Sequence, residues 1–248
     1  MEIRWIRHDK VTSTNQFVRE MLEHQKLKEG LVVMADYQEA GKGQGSKSWH
    51  SNEGENLLMS LLLFPAFLSA SYQFHLSRLV SVAICELLES LGATSVIKWP
   101  NDILCPGGKV AGILIEHGIS GGSISHTIAG IGLNLNQSEF PEFAQPASSL
   151  FLETGRLTVP QEFAENLVER ILKRYQKLKI GEGHALAKEY IHRMFRLGER
   201  SMFDAGGDIF EGIIRGLSEY GELLVEREGE LRPYGHGEIA LNAAYRTG

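Results

Sequence analysis

Apolar positions along this chain recur with two different periods. Phe17, Met21 and Leu22 fall at helical spacing after Ser13, Thr14 and Asn15, residue types that favour helix starts, so the spacing predicts a helix from about Thr14 to Gln25. Leu76, Leu79, Val80, Ala83, Leu87, Leu88 and Leu91 form a stronger stripe that stops at Gly92, suited to a helix lying across a sheet. Phe163, Leu167, Ile171, Leu172, Tyr175 and Leu178 predict a third helix between Pro160 and Ile180, and a fourth follows over His184 to Phe195. A short strand opens the chain at Ile3 to Ile6. Apolar runs at Leu31 to Ala35, Leu57 to Phe64, Ser95 to Trp99, Val110 to Glu116 and Ser125 to Leu133 read as buried strands. Hairpin-sized breaks at Pro106-Gly107-Gly108 and Ser120-Gly121-Gly122 favour antiparallel neighbours among the later ones.

Beyond Gly198 the texture changes to short strands with glycine turns: Ile209 to Leu217, Gly221 to Arg227, Glu230 to Pro233 and Gly237 to Leu241. A small β-barrel or sandwich is the natural reading. The expected fold class is α+β, a mixed and largely antiparallel sheet flanked by helices, followed by this β module. The expected boundary divides residues 1–197 from 198–248.

Composition narrows the function more than the fold. With 248 residues, 43% hydrophobic, the chain has ample material for a packed core. A net charge of −6, with both signs interspersed, argues against coating bulk nucleic acid. Cys85 sits in a helical apolar pattern and Cys105 in a turn, so neither a disulfide framework nor a thiolate metal cluster is expected. The histidines lack paired metal-ligand spacing, and no Gly-x-Ser-x-Gly element announces a nucleophilic serine. The amino end is charged and no apolar run reaches membrane-spanning length, which points to a reduced, cytoplasmic setting.

The densest chemistry lies between Gln38 and Trp49. Gly41, Gly43 and Gly45 alternate with Lys42 and Gln44, and Lys47 and Trp49 follow. Successive backbone N–H groups can face an anion there, two lysines add charge and the indole offers a stacking surface. Neither a Walker A loop nor a Rossmann turn has this form. A flexible strand-to-strand loop with surface lysines is the plainer alternative.

Other segments combine polar residues with the ends of predicted strands. Ser13-Thr14-Asn15 is a helix cap or the polar end of a pocket. Lys98-Trp99-Pro100-Asn101-Asp102 closes a strand; Lys98 can contact phosphate, and Asp102 can hold a ribose hydroxyl or Mg²⁺. Lys109 enters an otherwise apolar strand, as a snorkelling edge residue or, with Gly112 allowing close backbone approach, as a cation aimed at an oxyanion. Gly130-Ile131-Gly132-Leu133-Asn134-Leu135-Asn136 sets Asn134 and Asn136 on one face, where an amide could meet a nucleotide.

Taken in order, these five segments resemble the catalytic domain of the biotin protein ligases, and the module from Gly198 is similar to that family's SH3-like domain. The resemblance implies that biotin and Mg-ATP react to biotinyl-5′-adenylate and pyrophosphate, and that the acyl group then moves to a lysine of a biotin carboxyl carrier protein or domain. It implies that Ser13, Thr14, Asn15 and Gln38 hold biotin, with Gly41, Gly43, Gln44 and Gly112 lining its site. Lys42 and Lys109 would act catalytically on the carboxylate and the acyl phosphate. Lys47 and Lys98 would serve phosphates, Trp49 would cover the adenylate, and Gln44, Asn101, Asp102, Gly132 and Asn134 would complete the ATP site. No metal of its own is implied, only Mg²⁺ with ATP near Asp102.

The glycine loop departs from the family's usual arginine-rich form. Lys42 and Lys47 keep charge but lose the guanidinium fork, Gln44 keeps hydrogen bonding without charge, and Gly45-Ser46 stand where arginine then glycine is usual. Looser retention of the adenylate is expected. The catalytic pattern begins near residue 10, so a DNA-binding repressor role is not expected. Two alternatives stay open: a lipoate-type ligase, and a biotin- or nucleotide-sensing protein without turnover. An edge strand could pair with the carrier or with a second copy, leaving monomer and homodimer both open.

Overall fold

The computed structural model describes residues 1–45, 47–142 and 146–241. Ser46 lies outside the described residues. The first unit is built on a seven-stranded sheet. β1 (Arg4–Val11) runs through α1 (Thr14–His24) to β2 (Leu31–Gln38), a parallel crossover, after which β3 (Leu57–Leu63) turns antiparallel. Then α2 (Phe74–Ser90) leads to β4 (Val96–Lys98), β5 (Asp102–Cys105), β6 (Gly108–Ser120) and β7 (Ser123–Leu133), all antiparallel, in the sheet order β1-β2-β3-β7-β6-β5-β4. Three helices follow: α3 (Leu150–Thr154), α4 (Pro160–Lys179) and α5 (Gly183–His192).

β3 is buried on both faces, which explains its unbroken apolar run. Leu57, Met59, Leu61 and Leu63 join the main core under α2 and α4, while Leu62 packs with Val33 and Ile128 beneath Val18, Phe17 and Met21 of α1. The sheet is thus covered by α2 and α4 on one face. On the other, α1 shields the side near β2 and β3 and leaves the rest open.

The C-terminal unit is the SH3-like module, a five-stranded antiparallel sheet in the order β11-β10-β9-β8-β12. It comprises β8 (Arg200–Ala205), β9 (Asp208–Leu217), β10 (Leu223–Arg227), β11 (Glu230–Tyr234) and β12 (Ala240–Leu241). It docks firmly: Phe203, Phe210, Ile214 and Val225 belong to the same apolar cluster as α2 and α4. Buried Arg78 donates to the Ser218 carbonyl at 3.0 Å, and Trp99 Nε1 donates to the Gly221 carbonyl at 2.9 Å.

Three elements differ from the sequence expectation. β5 and β8 are strands where no strand is predicted, because each offers only a few apolar positions. Their pairing comes from neighbours, β4 and β6 for β5, β9 and β12 for β8. The short α3 is likewise unpredicted; it is capped by Ser149, whose side chain accepts from Leu152 N.

Candidate active site

The open part of the sheet is floored by glycine. Because side chains alternate across a sheet, strand register decides which residues share this face. One cross-strand row reads Leu58, Gly132, Gly112, Asp102, Lys98 from β3 to β4, and the next reads Ser60, Gly130, Leu114. A methyl group on Gly132 would lie 2.5 Å from Trp49 Cε2, one on Gly112 2.9 Å from Trp49 Cζ3, and one on Gly130 2.3 Å from Asn15 Oδ1. The missing side chains are what let the indole and the Asn15 amide settle onto the backbone.

Lys109 reaches this floor through an irregularity. Residues three apart should point to opposite faces, yet the register of β5 against β6 shifts between Ile103 and Leu104, and this bulge returns Lys109 to the side of Gly112. Its ammonium lies 2.6 Å from Asp102 Oδ1 and 5.5 Å above the Trp49 ring. On either side of Ser46 the glycine segment pairs back on itself: Lys42 bridges Ser48, Gly43 N donates to the Lys47 carbonyl at 2.8 Å, and Trp49 N donates to the Gly41 carbonyl at 2.8 Å.

One cavity is lined by Ser13, Thr14, Asn15 and Gln38 at one end, by Lys47, Asp102 and Lys109 at the other, and also by Lys42, Gly43, Gln44, Trp49, Asn101, Gly112 and Gly132. The first end is neutral and built for hydrogen bonds. Although Ser13 sits at the N-cap of α1, its side chain makes no capping bond, and with Thr14 and Asn15 it lines the cavity. Gln38 Oε1 accepts from Thr14 N at 2.8 Å, and Ser60, buried and unmarked in the sequence, joins Thr14 and Asn15 at 2.8 and 2.6 Å. The second end is cationic.

Lys98 lies beside this cavity, in a second recess shared with Lys47, Asp102 and His236. Burial pulls its pKa down, opposed by Asp102 and reinforced by Lys109 and Lys47. Asn101 donates to the Ile113 carbonyl at 2.9 Å and ties the turn to β6. Gly41 stands behind the lining, beneath Trp49 and Gln38. Asn134 and Asn136 do not line the cavity. Asn134 Nδ2 donates to the Ser148 carbonyl at 2.9 Å and braces the segment that bridges Lys109, while Asn136 pairs with the Thr158 backbone just before α4.

His236, on the C-terminal module, is a residue that the sequence did not mark. Its Nδ1 is 3.1 Å from Gln44 Nε2, so the module touches the glycine segment. Burial and then Lys47 lower its pKa, which favours the neutral ring that accepts from the amide. The two free thiols are buried, and burial raises Cys85 to about 11 and Cys105 to about 12, so neither is a nucleophile at neutral pH.

A mixed sheet whose open face carries a cavity of hydrogen-bonding and cationic side chains suits a domain that binds a polar, negatively charged small molecule. Residues 8–134 match the Biotin/lipoate A/B protein ligase family, and residues 202–241 match the Biotin protein ligase C terminal domain. The chain belongs to this family. It is 32% identical over 241 residues to the Bifunctional ligase/repressor BirA of Bacillus subtilis, covering 95% of this chain and 73% of that protein. It is 32% identical over 206 residues to the Biotin--[acetyl-CoA-carboxylase] ligase of Paracoccus denitrificans, covering 78% of this chain and 82% of that one. Among solved structures it resembles the biotin protein ligase from Aquifex aeolicus in complex with biotin and ATP, at 29% identity and a TM-score of 0.79, covering 96% and 98% of the two chains.

Proposed function

We infer that this protein is an ATP-dependent biotin protein ligase, and that the polarity of the cavity carries the assignment of its residues. Biotin has a neutral cyclic urea at one end and a carboxylate at the other. The cavity has a neutral hydrogen-bonding end at Ser13, Thr14, Asn15 and Gln38 and a cationic end at Lys47 and Lys109, with Lys42 also in its lining. Only one orientation satisfies both.

In that orientation the carboxylate lies beside Lys109, and a biotin carboxylate oxygen attacks the α-phosphorus of ATP as the bond to pyrophosphate breaks. Both reactants are anionic, so the cations Lys42 and Lys109, the latter held by Asp102 and the Trp49 ring, lower the barrier by charge neutralisation and positioning. Lys47 and Lys98 face the departing phosphates. Trp49 covers the adenylate from the glycine floor, and its buried Nε1, without a partner among the described residues, supplies a donor for it. The amine of a carrier lysine then attacks the acyl carbonyl, the bond to phosphate breaks, and AMP leaves. Water held off by Trp49 cannot compete for the intermediate.

Among the described residues no group of three or more His, Cys, Asp or Glu side chains stands ready for a metal. Asp102, already paired with Lys109, suits Mg²⁺ that arrives on the triphosphate, where it would neutralise phosphate charge. The acceptor is a biotin carboxyl carrier protein or domain, residues 1–197 form the catalytic unit and 198–248 the SH3-like one. Use of ATP together with free cysteines fits a cytoplasmic location. The C-terminal domain match favours biotin over lipoate.

Biotin, ATP and a purified carrier domain test the proposal directly. Pyrophosphate release together with covalent biotin on the carrier is the expected result; binding of both substrates without turnover, or turnover with lipoate alone, rejects it.

A further inference from the structure

We propose that Ser60 and Glu116, neither of which lines the cavity, fix the donor and acceptor sense of its neutral end and so select a cyclic urea head group. The inference rests on the placement of that head group at Thr14 and Gln38.

The chain of hydrogen bonds has one consistent direction. Glu116 Oε2 and the Leu114 carbonyl approach one terminal atom of the Asn15 amide at 2.9 and 3.2 Å. Both are acceptors only, so that atom is the NH₂ group and Asn15 Oδ1 faces Ser60. Arg19 pairs with the other Glu116 oxygen and holds the carboxylate in place. Gly130, directly across from Ser60 on β7, leaves the room that Asn15 Oδ1 occupies.

Ser60 Oγ is 2.6 Å from Asn15 Oδ1, and a hydroxyl carries one proton, so Ser60 commits it there. The Thr14 proton then has two acceptors within the protein, Ser60 Oγ at 2.8 Å and Gln38 Oε1 at 3.2 Å. In either arrangement Thr14 Oγ1 offers the cavity lone pairs alone. Gln38 Oε1 also takes the Thr14 backbone N–H, which leaves the Gln38 NH₂ group, beside Gly41, as the donor of this side chain. The Thr14 and Gln38 pair therefore presents one acceptor and one donor, beside a Ser13 hydroxyl that can serve either way. A cyclic urea, with a carbonyl flanked by N–H groups, is its complement.

Removing Ser60 leaves the Thr14 proton one long bond within the protein, to Gln38 Oε1 at 3.2 Å, so it can turn toward the ligand instead. Glutamine at position 116 can offer its own NH₂ group to Asn15, which sets a donor there against the Leu114 carbonyl acceptor, so the amide is no longer held in one sense. Both changes weaken discrimination more specifically than they weaken binding.

The test compares S60A and E116Q with the wild type by calorimetric titration of biotin and of its two carbamate analogues, in each of which one ureido N–H is replaced by a ring oxygen. In the wild type, the analogue that turns its oxygen toward Thr14 should bind at least about tenfold more weakly than its isomer, the loss expected when two acceptors face each other. In both variants the ratio should fall to about threefold or less. A ratio that stays at the wild-type value while all affinities drop together overturns the proposal, as does a wild type that does not distinguish the isomers. Unchanged biotin affinity in Thr14→Val would instead show that the head group binds elsewhere, so the underlying placement would be the part that fails. The melting temperature without ligand shows that each variant is folded.

Discussion

Replacing Lys109 by alanine separates a chemical role from a structural one. The ammonium is pinned between Asp102 at 2.6 Å and the Trp49 ring at 5.5 Å, so little ordering remains to be done when substrate arrives. At an effective dielectric of ~20, one fixed cation about 4 Å from a unit charge is worth ~4 kcal/mol. Mutational losses of single preorganised contacts agree, at ~3 to 4 kcal/mol or ~10²- to 10³-fold in rate. The folded state loses much less. The pair is partly exposed, 29% at Lys109 and 18% at Asp102, and screened pairs of that kind contribute about 1 kcal/mol or less. In a chain of this length that lowers the melting temperature by about 2–4 °C. Biotin-dependent exchange of pyrophosphate into ATP reads the chemical step, and a thermal melt reads the fold. Lys109→Ala should lose exchange about a hundredfold or more and melt within a few degrees of the wild type. Exchange within about tenfold of the wild type refutes the role given to this lysine, and loss of a cooperative melt along with exchange makes it structural.

Gly132→Val places a branched side chain where even a methyl would be 2.5 Å from Trp49, so the indole must leave the floor; ATP affinity should fall about tenfold or more by titration, and unchanged affinity contradicts the role given to Trp49. Gln44→Arg should lengthen the lifetime of the bound adenylate, measured by its release in a chase; a lifetime no longer than that of the wild type removes the significance attached to Gln44. Burial pushes His75 and His117 from 6.5 down to about 4, helped by Arg78 and His184 for the first and by His126 for the second. Above pH about 6.5 both are neutral whether the chain is folded or not. As the pH falls from there toward about 4, the unfolded chain takes up protons that the folded chain refuses, so stability declines across that window. Denaturant midpoints measured through it should fall, and a flat profile counts against the burial of these rings. Trp99→Phe removes the bond to the Gly221 carbonyl and should cost about 1–2 kcal/mol, read from denaturant unfolding; no loss would mean that this contact does not help dock the module.

The sequence alone determined what local physics encodes. Apolar periodicity located α1, α2 and α4 because a helix that covers a sheet must repeat its buried face, and it located β2, β3 and β7 because buried strands need unbroken apolar runs. The order of five polar segments pointed to the family, which the match over residues 8–134 shows. It also marked Ser13, Thr14, Gln38, Lys42, Trp49 and Lys109, which one cavity brings together.

Tertiary structure decided what depends on register. Nothing in the string Lys109-Val110-Ala111-Gly112 reveals a bulge, yet the bulge puts Lys109 on the same face as Gly112, because the partner strand sets where pairing slips. Asn134 carries the same local signal as a ligand-binding amide but bonds to Ser148 and lies behind the site. Ser60, Glu116 and His236 are unremarkable in sequence; they become functional candidates only through neighbours 45, 101 and 192 positions away. Hydrogen-bond direction and cross-strand rows are properties of distant residues brought into contact, and no local pattern contains them.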